Sequence, residues 1–249
     1  MRNMANNKHT AIILAAGLST RLQTLTQNRP KALVMLNDKP LLQHVIKNLI
    51  RNRFHHIVIN VHHFARQIMD FIATHPFDAD IVISDESALL LDTGGGIVNA
   101  APFFKDSDCV LVHNVDILSN VELHTLTESF QKSNDDAWLL TQQRNSTRKL
   151  LFNGDGLLCG WKHAAENRFK WVNESIEEYN ELSFSGIHLF KPDLFSHYQV
   201  RPASVIDLYL DLAKRKVIRS KEIHPNYWYD LGKPEQLTDA AAFLNTLPK

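Results

Sequence analysis

Apolar and polar positions in the first half of the chain repeat one arrangement. "TAIILAA" is a continuous apolar run of strand length, and "PLLQHVIKNLIRN" carries apolar residues at 41, 42, 45, 46, 49 and 50, one face of a helix. "HHIVINV", "FARQIMDFIAT", "ADIVISD", "GGGIVNAAPFF" and "CVLVHNVDIL" continue the alternation of strand and helix-like segment. Such a pattern predicts an α/β fold, a mostly parallel sheet with helices on both faces. Right-handed crossovers align the carboxyl ends of the strands along one edge, so a ligand site should use residues just after strands.

From Asp136 onward the runs shorten: "AWLLTQQ", "KLLFN", "LLCGW" and "LSFSGIHLF" predict antiparallel or mixed strands added to that sheet. "PASVIDLYLDLAKRK", apolar at 205, 206, 208, 210, 212 and 213, and "PEQLTDAAAFLNTL", with proline at the first helical position, predict two more helices. The polar stretch from Ala164 to Glu181 reads as a loop over a site. No repeat and no linker rich in Pro, Gly or Ser divides the chain, and 249 residues suit one α/β unit, so residues 1–249 are expected to form a single domain.

Composition narrows the function classes. Apolar residues make up 44% and charged residues 22%, enough for a sizeable core. Twenty-seven basic residues balance 27 acidic ones with no long basic run, which argues against nucleic acid as the main partner. The longest apolar run, Ala11 to Ala16, is far shorter than the roughly 20 residues of a membrane span. A cytoplasmic protein with no membrane partner is expected. Cys109 and Cys159 stand 50 positions apart without metal-ligand spacing and read as reduced core cysteines.

The candidate chemistry begins at "LAAGLSTRLQTLTQNRPKAL", Leu14 to Leu33, a loop following the first strand. Exposed backbone N–H groups beside small residues can cradle a phosphate. Gly17 is followed five positions on by Leu22, which excludes a GxxxxGK[ST] loop, and by Leu18 and Ser19, which excludes GxGxxG. What remains is one glycine, two hydroxyls, and the cations Arg21 and Lys31, a combination suited to a polyphosphate, or else a solvated surface loop.

The loop, written LAAGxSTRLxxLTxxxPKAL, resembles the signature of the sugar-nucleotide pyrophosphorylases, closest to the branch containing N-acetylmuramic acid 1-phosphate uridylyltransferase. The resemblance implies a Rossmann-like nucleotidyltransferase fold, an α/β/α sandwich, and transfer between a nucleoside triphosphate and a sugar 1-phosphate. It implies that Ala15, Ala16 and Gly17 face the nucleotide through backbone groups and that Arg21 and Lys31 grip its phosphates. Asp116 of "VHNVDIL" and Asp230 of "NYWYDLGKPEQL" match the aspartates that hold Mg²⁺ in that family, although Val115 stands where the family has glycine. Each could instead be a turn or cap aspartate. "LLLDTGGGIVNA" is similar to "LETGGGI", which makes Thr93, Gly94 and Gly95 candidates for base and ribose, against the alternative of a plain tight turn. Asn60, after "HHIVIN", could sit near the base.

On the acceptor side, Asn114 belongs to the same motif as Asp116. "LSFSGIHLF" resembles the strand lining the sugar site, so Ser185 and Gly186 could face the sugar; a buried strand with a bulge glycine is the other reading. Glu174 is a weaker candidate for a sugar hydroxyl. The family's Glu-Lys-Pro motif, whose lysine holds the sugar phosphate, is absent, and Lys162 could substitute. No Ser-His-Asp or Cys-His constellation is evident, and none is needed, because a phosphate monoester with a second pKa of about 6 is already largely dianionic at neutral pH. A monomer or homodimer is expected. Two rivals stand beside this reading: a cytidylyl- or guanylyltransferase using another acceptor such as phosphocholine, and a non-catalytic nucleotide-binding regulatory subunit.

Overall fold

The computed structural model describes residues 8–17, 22 and 25–246. In chain order they form β1 (His9–Leu14), β2 (Met35–Leu36), β3 (Lys39–Pro40), α1 (Leu41–Arg51), β4 (His56–Val61), α2 (Ala65–Thr74), β5 (Asp80–Asp85), α3 (Asp92–Asn99), β6 (Cys109–Asn114), β7 (Ile117–Ser119) and α4 (Leu123–Gln131). The second half adds β8 (Ala137–Gln142), β9 (Arg148–Phe152), β10 (Leu158–His163), β11 (Arg168–Trp171), β12 (Asn180–Phe190), α5 (Val205–Leu212), β13 (Ile218–Glu222), β14 (Trp228–Asp230) and α6 (Pro234–Leu244). The helices expected from 3.6-residue spacing are present as α1, α2, α3, α5 and α6, the last with proline in its first turn.

One mixed sheet of ten strands runs β11-β10-β9-β12-β6-β1-β4-β5, with β8 joining β12 to β13. Strands β6, β1, β4 and β5 are parallel, and β12 pairs antiparallel with β6, β8 and β9. Alternation along β1 explains how both faces are covered. Ala11 and Ile13 join a core with α1, α2 and α4, while Ile12 joins a second core with α3 and α5. A third, smaller core packs Leu22, Val34 and Leu36 against Leu231, Leu237 and Ala240, holding the end of the first loop to α6.

Part of the polar stretch expected as a loop is strand: β11 pairs with β10 from Gly160↔Trp171 to His163↔Arg168, and 164–167 and 173–178 are exposed connections. The stacked rings of Phe169 and Trp171, centroids 5.7 Å apart, give β11 an apolar face that its polar neighbours conceal in the sequence. Among the described residues no helix is long and apolar enough to cross a membrane.

Candidate active site

The parallel strands end side by side in the order β6, β1, β4, β5, and the segments following them enclose a cavity of about 310 Å³. Ala16, Gly17, Lys31, Asn60, Glu86, Leu90, Asp92, Thr93, Asn114, Val115 and Asp116 are among its walls. In a larger cavity of about 500 Å³ at the opposite edge, some of the polar lining groups pair with one another, His56 with Asp80 and Thr10 with Ser107.

Asp116 leaves β6 through a two-residue turn, and β7 then pairs antiparallel with β14, placing Ile117 opposite Asp230. Leu231 N–H donates to the Asp116 carbonyl at 2.7 Å. Two aspartates 114 positions apart in sequence are thereby brought to adjoining strand ends. Lys31, delivered by a short helical turn at Lys31–Leu33, reaches the Asp116 carboxylate at 2.5 Å, with their side chains only 14% and 12% exposed. At that burial the ion pair is what makes either charge tolerable. Among the described residues no group of three or more His, Cys, Asp and Glu is placed to hold a metal ion. A carboxylate pair suits Mg²⁺, which takes one or two protein carboxylates together with phosphate oxygens and water.

The first loop is tied down by Asn60. Its Oδ1 accepts from the N–H groups of Ala15 and Ala16, at 3.1 and 3.3 Å. Both amides are thus held by a side chain, and Ala16 and Gly17 border the cavity. Asn60, expected near the base, spends its oxygen on the loop. Arg21 lies outside the described residues.

The glycines of α3 pack against another part of the chain. Gly94 and Gly95 N–H both donate to the Ala203 carbonyl, at 2.8 and 3.1 Å, and a Cβ on Gly95 would sit 2.2 Å from the Arg201 carbonyl oxygen. The close approach these glycines permit is to the chain's own 201–205 segment, and neither is among the cavity's lining residues. Thr93 lines the cavity, and its Oγ1 accepts from Val205 N–H at 3.0 Å.

On the acceptor side, Asn114 borders the cavity, but Ser185 is wholly buried. Its hydroxyl accepts from Ile187 N–H and its carbonyl from Trp228 Nε1. Gly186, at φ +81°, occupies the register shift of β12, where a Cβ would lie 2.8 Å from Ile117 and 3.0 Å from Asn114. The buried-bulge reading describes this strand, which fixes β14 and Asn114 from behind. Glu174 is exposed on the 173–178 segment and is not among the cavity's lining residues. Lys162 is engaged with Glu181 at 2.5 Å.

Two residues escaped the sequence reading. Glu86, just past β5, is 4% exposed, and burial pushes its carboxyl up to about 7. Arg144, past β8, stacks its guanidinium 4.3 Å from the Trp228 ring centre and donates from Nη2 to the Phe184 carbonyl at 2.8 Å. Its Nε is buried without a hydrogen-bond partner, and burial lowers its pKa against the opposing pull of Asp230. Arg144 and Asp230 line a second, polar cavity of about 940 Å³ with Arg148, His163 and Lys233. The signal for Arg144 was the "QQRNST" polar turn after a buried strand, and for Glu86 a carboxylate directly following "DIVISD".

Comparison with known proteins decides the family: residues 11–204 match the model of the MobA-like NTP transferase domain. The chain belongs to that family. N-acetylmuramate alpha-1-phosphate uridylyltransferase of Caulobacter vibrioides is 29% identical, over 97% of this chain and 99% of its own length. The mannose-1-phosphate guanyltransferase of Yarrowia lipolytica is 24% identical over 96% of this chain and 65% of its own length. Among solved structures, HddC from Yersinia pseudotuberculosis complexed with GMP-PN superposes with a TM-score of 0.74 at 21% identity, over 94% of this chain and 99% of that one. The family and the α/β fold with its mixed central sheet agree with the resemblance carried by the first loop.

Proposed function

We propose that this NTP transferase joins UTP to a sugar 1-phosphate, N-acetylmuramate 1-phosphate foremost, with release of pyrophosphate. The observation that carries transfer, as opposed to binding, is the β7–β14 pairing that brings Asp230 opposite Ile117, next to Asp116, whose carboxylate is paired with Lys31. The choice of uracil and of the acceptor rests on the near full-length likeness to the Caulobacter protein. The Yarrowia relative favours a second reading, guanylyl transfer to mannose 1-phosphate.

In this reading Asp116 and Asp230 would hold Mg²⁺, which would supply positive charge at the α-phosphate. Lys31, delivered beside Asp116, and Arg21 supply positive charge to the triphosphate. Arg144, half-buried beside Asp230 with an unused donor, holds the acceptor's phosphate. The acceptor phosphate attacks in line, a bond forms to the α-phosphorus, and the bond to the pyrophosphate oxygen breaks. Alignment and charge stabilisation carry the rate, and no general base is required.

Pyrophosphate release from UTP, GTP, CTP and dTTP against N-acetylmuramate 1-phosphate, mannose 1-phosphate and phosphocholine tests this directly. The fastest turnover is expected for UTP with N-acetylmuramate 1-phosphate. A preference for GTP with mannose 1-phosphate would replace this reading by the second, and no release with any pair would remove both.

A further inference from the structure

Strand β12 is interrupted where its pairing with β8 shifts register, between Phe184 and His188, and Gly186 at φ +81° makes the bend possible. The residues just before it offer three polar groups to other parts of the chain. Ser183 Oγ donates to the Arg144 carbonyl at 2.9 Å, the Phe184 carbonyl accepts from Arg144 Nη2 at 2.8 Å, and the Ser185 carbonyl accepts from Trp228 Nε1 at 3.1 Å. One irregular stretch of strand thus sets the backbone of Arg144, its guanidinium and the Trp228 ring on which that guanidinium stacks. Trp228 and Asp230 share the short strand β14, so Arg144 and the Asp230 end of the site take their relative places from the same bulge.

Lys149, half-buried on β9, completes this arrangement. Its Nζ donates to the Arg144 carbonyl at 2.6 Å and to Ser183 Oγ at 3.0 Å. Arg144 lies past the end of β8, outside the ladder, and these two side chains supply the donors that its carbonyl would otherwise find in a strand. Among the described residues no carboxylate forms an ion pair with Lys149; Glu181, the acid whose charge favours it, is taken by Lys162 at 2.5 Å. Burial, and then the neighbouring charge of Arg144, lower the pKa of the Lys149 ammonium. Desolvating an ammonium without a counter-ion is unfavourable, and Ser183 alone already satisfies the carbonyl, so stability does not account for the lysine.

We infer that Lys149 is a positioning residue for the acceptor: it fixes the turn after β8 so that the Arg144 guanidinium stays stacked on Trp228 beside Asp230. This rests on the reading in which Arg144 holds the acceptor's phosphate. Held at its backbone carbonyl by Lys149 and Ser183, at Nη2 by Phe184 and across its face by Trp228, the arginine keeps few orientations. The entropy of ordering it is then spent in folding and not on binding. A displacement of about 1 Å at such a group can lower a rate by about a hundredfold, so a residue that never touches the acceptor can govern how well it is held. Lys149 and Arg144 also border one polar cavity of about 620 Å³, which makes direct contact of Lys149 with the acceptor the alternative to be separated.

The test is steady-state pyrophosphate release, with whichever nucleotide and sugar 1-phosphate turn over fastest, in the wild type, Lys149→Met, Lys149→Arg, Arg144→Met and the double variant Lys149→Met/Arg144→Met. Lys149→Met should raise KM for the sugar phosphate by about three- to tenfold, and by no more than Arg144→Met does, while KM for the nucleotide stays unchanged and reports an intact fold. Lys149→Arg, which keeps a cationic donor, should recover most of the loss. The double variant should be no worse than Arg144→Met alone, because Lys149 acts through Arg144. Losses that multiply would mean that Lys149 acts on its own and would overturn the assignment. So would an unchanged sugar-phosphate KM in Lys149→Met, or equal rises in both KM values. An Arg144→Met variant with the wild-type KM for the sugar phosphate would instead remove the reading of Arg144, and this inference with it.

Discussion

Asp116 and Lys31 form the pair on which the site's electrostatics turn, because each is the other's charge partner at 2.5 Å in a largely buried position. Asp116→Ala removes a carboxylate and leaves Lys31 without its counter-ion. Turnover is expected to fall at least about a hundredfold, by analogy with deletion of one preorganised electrostatic group; pyrophosphate release measures it, and near-normal activity would take Asp116 out of the mechanism. Arg144→Met should raise KM for the sugar phosphate about tenfold or more while leaving KM for the nucleotide unchanged, the mark of one lost charge-assisted bond to the acceptor alone. Glu86 also carries a stability cost. Its folded pKa is raised from 4.5 to about 7, so the unfolded chain releases the proton first and stability declines as pH rises from about 4.5 to 7. Glu86→Gln escapes this: its melting temperature should exceed that of the wild type at pH 8 and match it near pH 4.5.

Elements, more than individual residues, decide what was legible beforehand. The parallel strands β1, β4 and β6 are buried on both faces and read as unbroken apolar runs, and the helices between them show one apolar stripe each. Strand β14 has three residues of intermediate burial, and nothing local marks Trp228–Asp230 as the partner of Ile117–Ser119. The likeness of loop motifs pointed to Asp116 and Asp230, but their juxtaposition depends on that non-local pairing. The α3 glycines were legible only in part for a related reason: a run of glycines signals close backbone approach without saying to what. Here the neighbour is the 201–205 segment, so Gly95→Ala must displace the Arg201 carbonyl, at a cost of about 1–3 kcal/mol. A lower urea midpoint with an unchanged denaturant slope is the expected result. Glu86 and Arg144 were hidden because burial and partner geometry, which give them meaning, are properties of the assembled sheet.

Across the molecule, the two cores meet at β12 and β6, which carry the fully buried His188 and His113. His188 Nδ1 shares a 2.5 Å hydrogen bond with Tyr209 OH, linking β12 to α5. Burial pushes these imidazoles down to about 3 and about 4, from an ordinary value of 6.5. Below about 6.5 the unfolded chain binds protons that the folded chain refuses, so stability should fall steadily as pH drops from 6.5 toward 4. Thermal unfolding of the Glu86→Gln variant between pH 7 and 4.5, where the opposing contribution of Glu86 is absent, checks this; a melting temperature independent of pH in that variant would contradict it. At this scale the proposed mechanism has ends of different strands act as one unit, the first half contributing Asp116 and Lys31 and the last strand Asp230. The most direct measurement is a double-mutant cycle on pyrophosphate release with Asp116→Ala, Asp230→Ala and the combined variant. If the two carboxylates serve a single function, the double variant should be about as slow as the slower single one. Losses that multiply, or an Asp230→Ala variant as fast as wild type, would contradict the account.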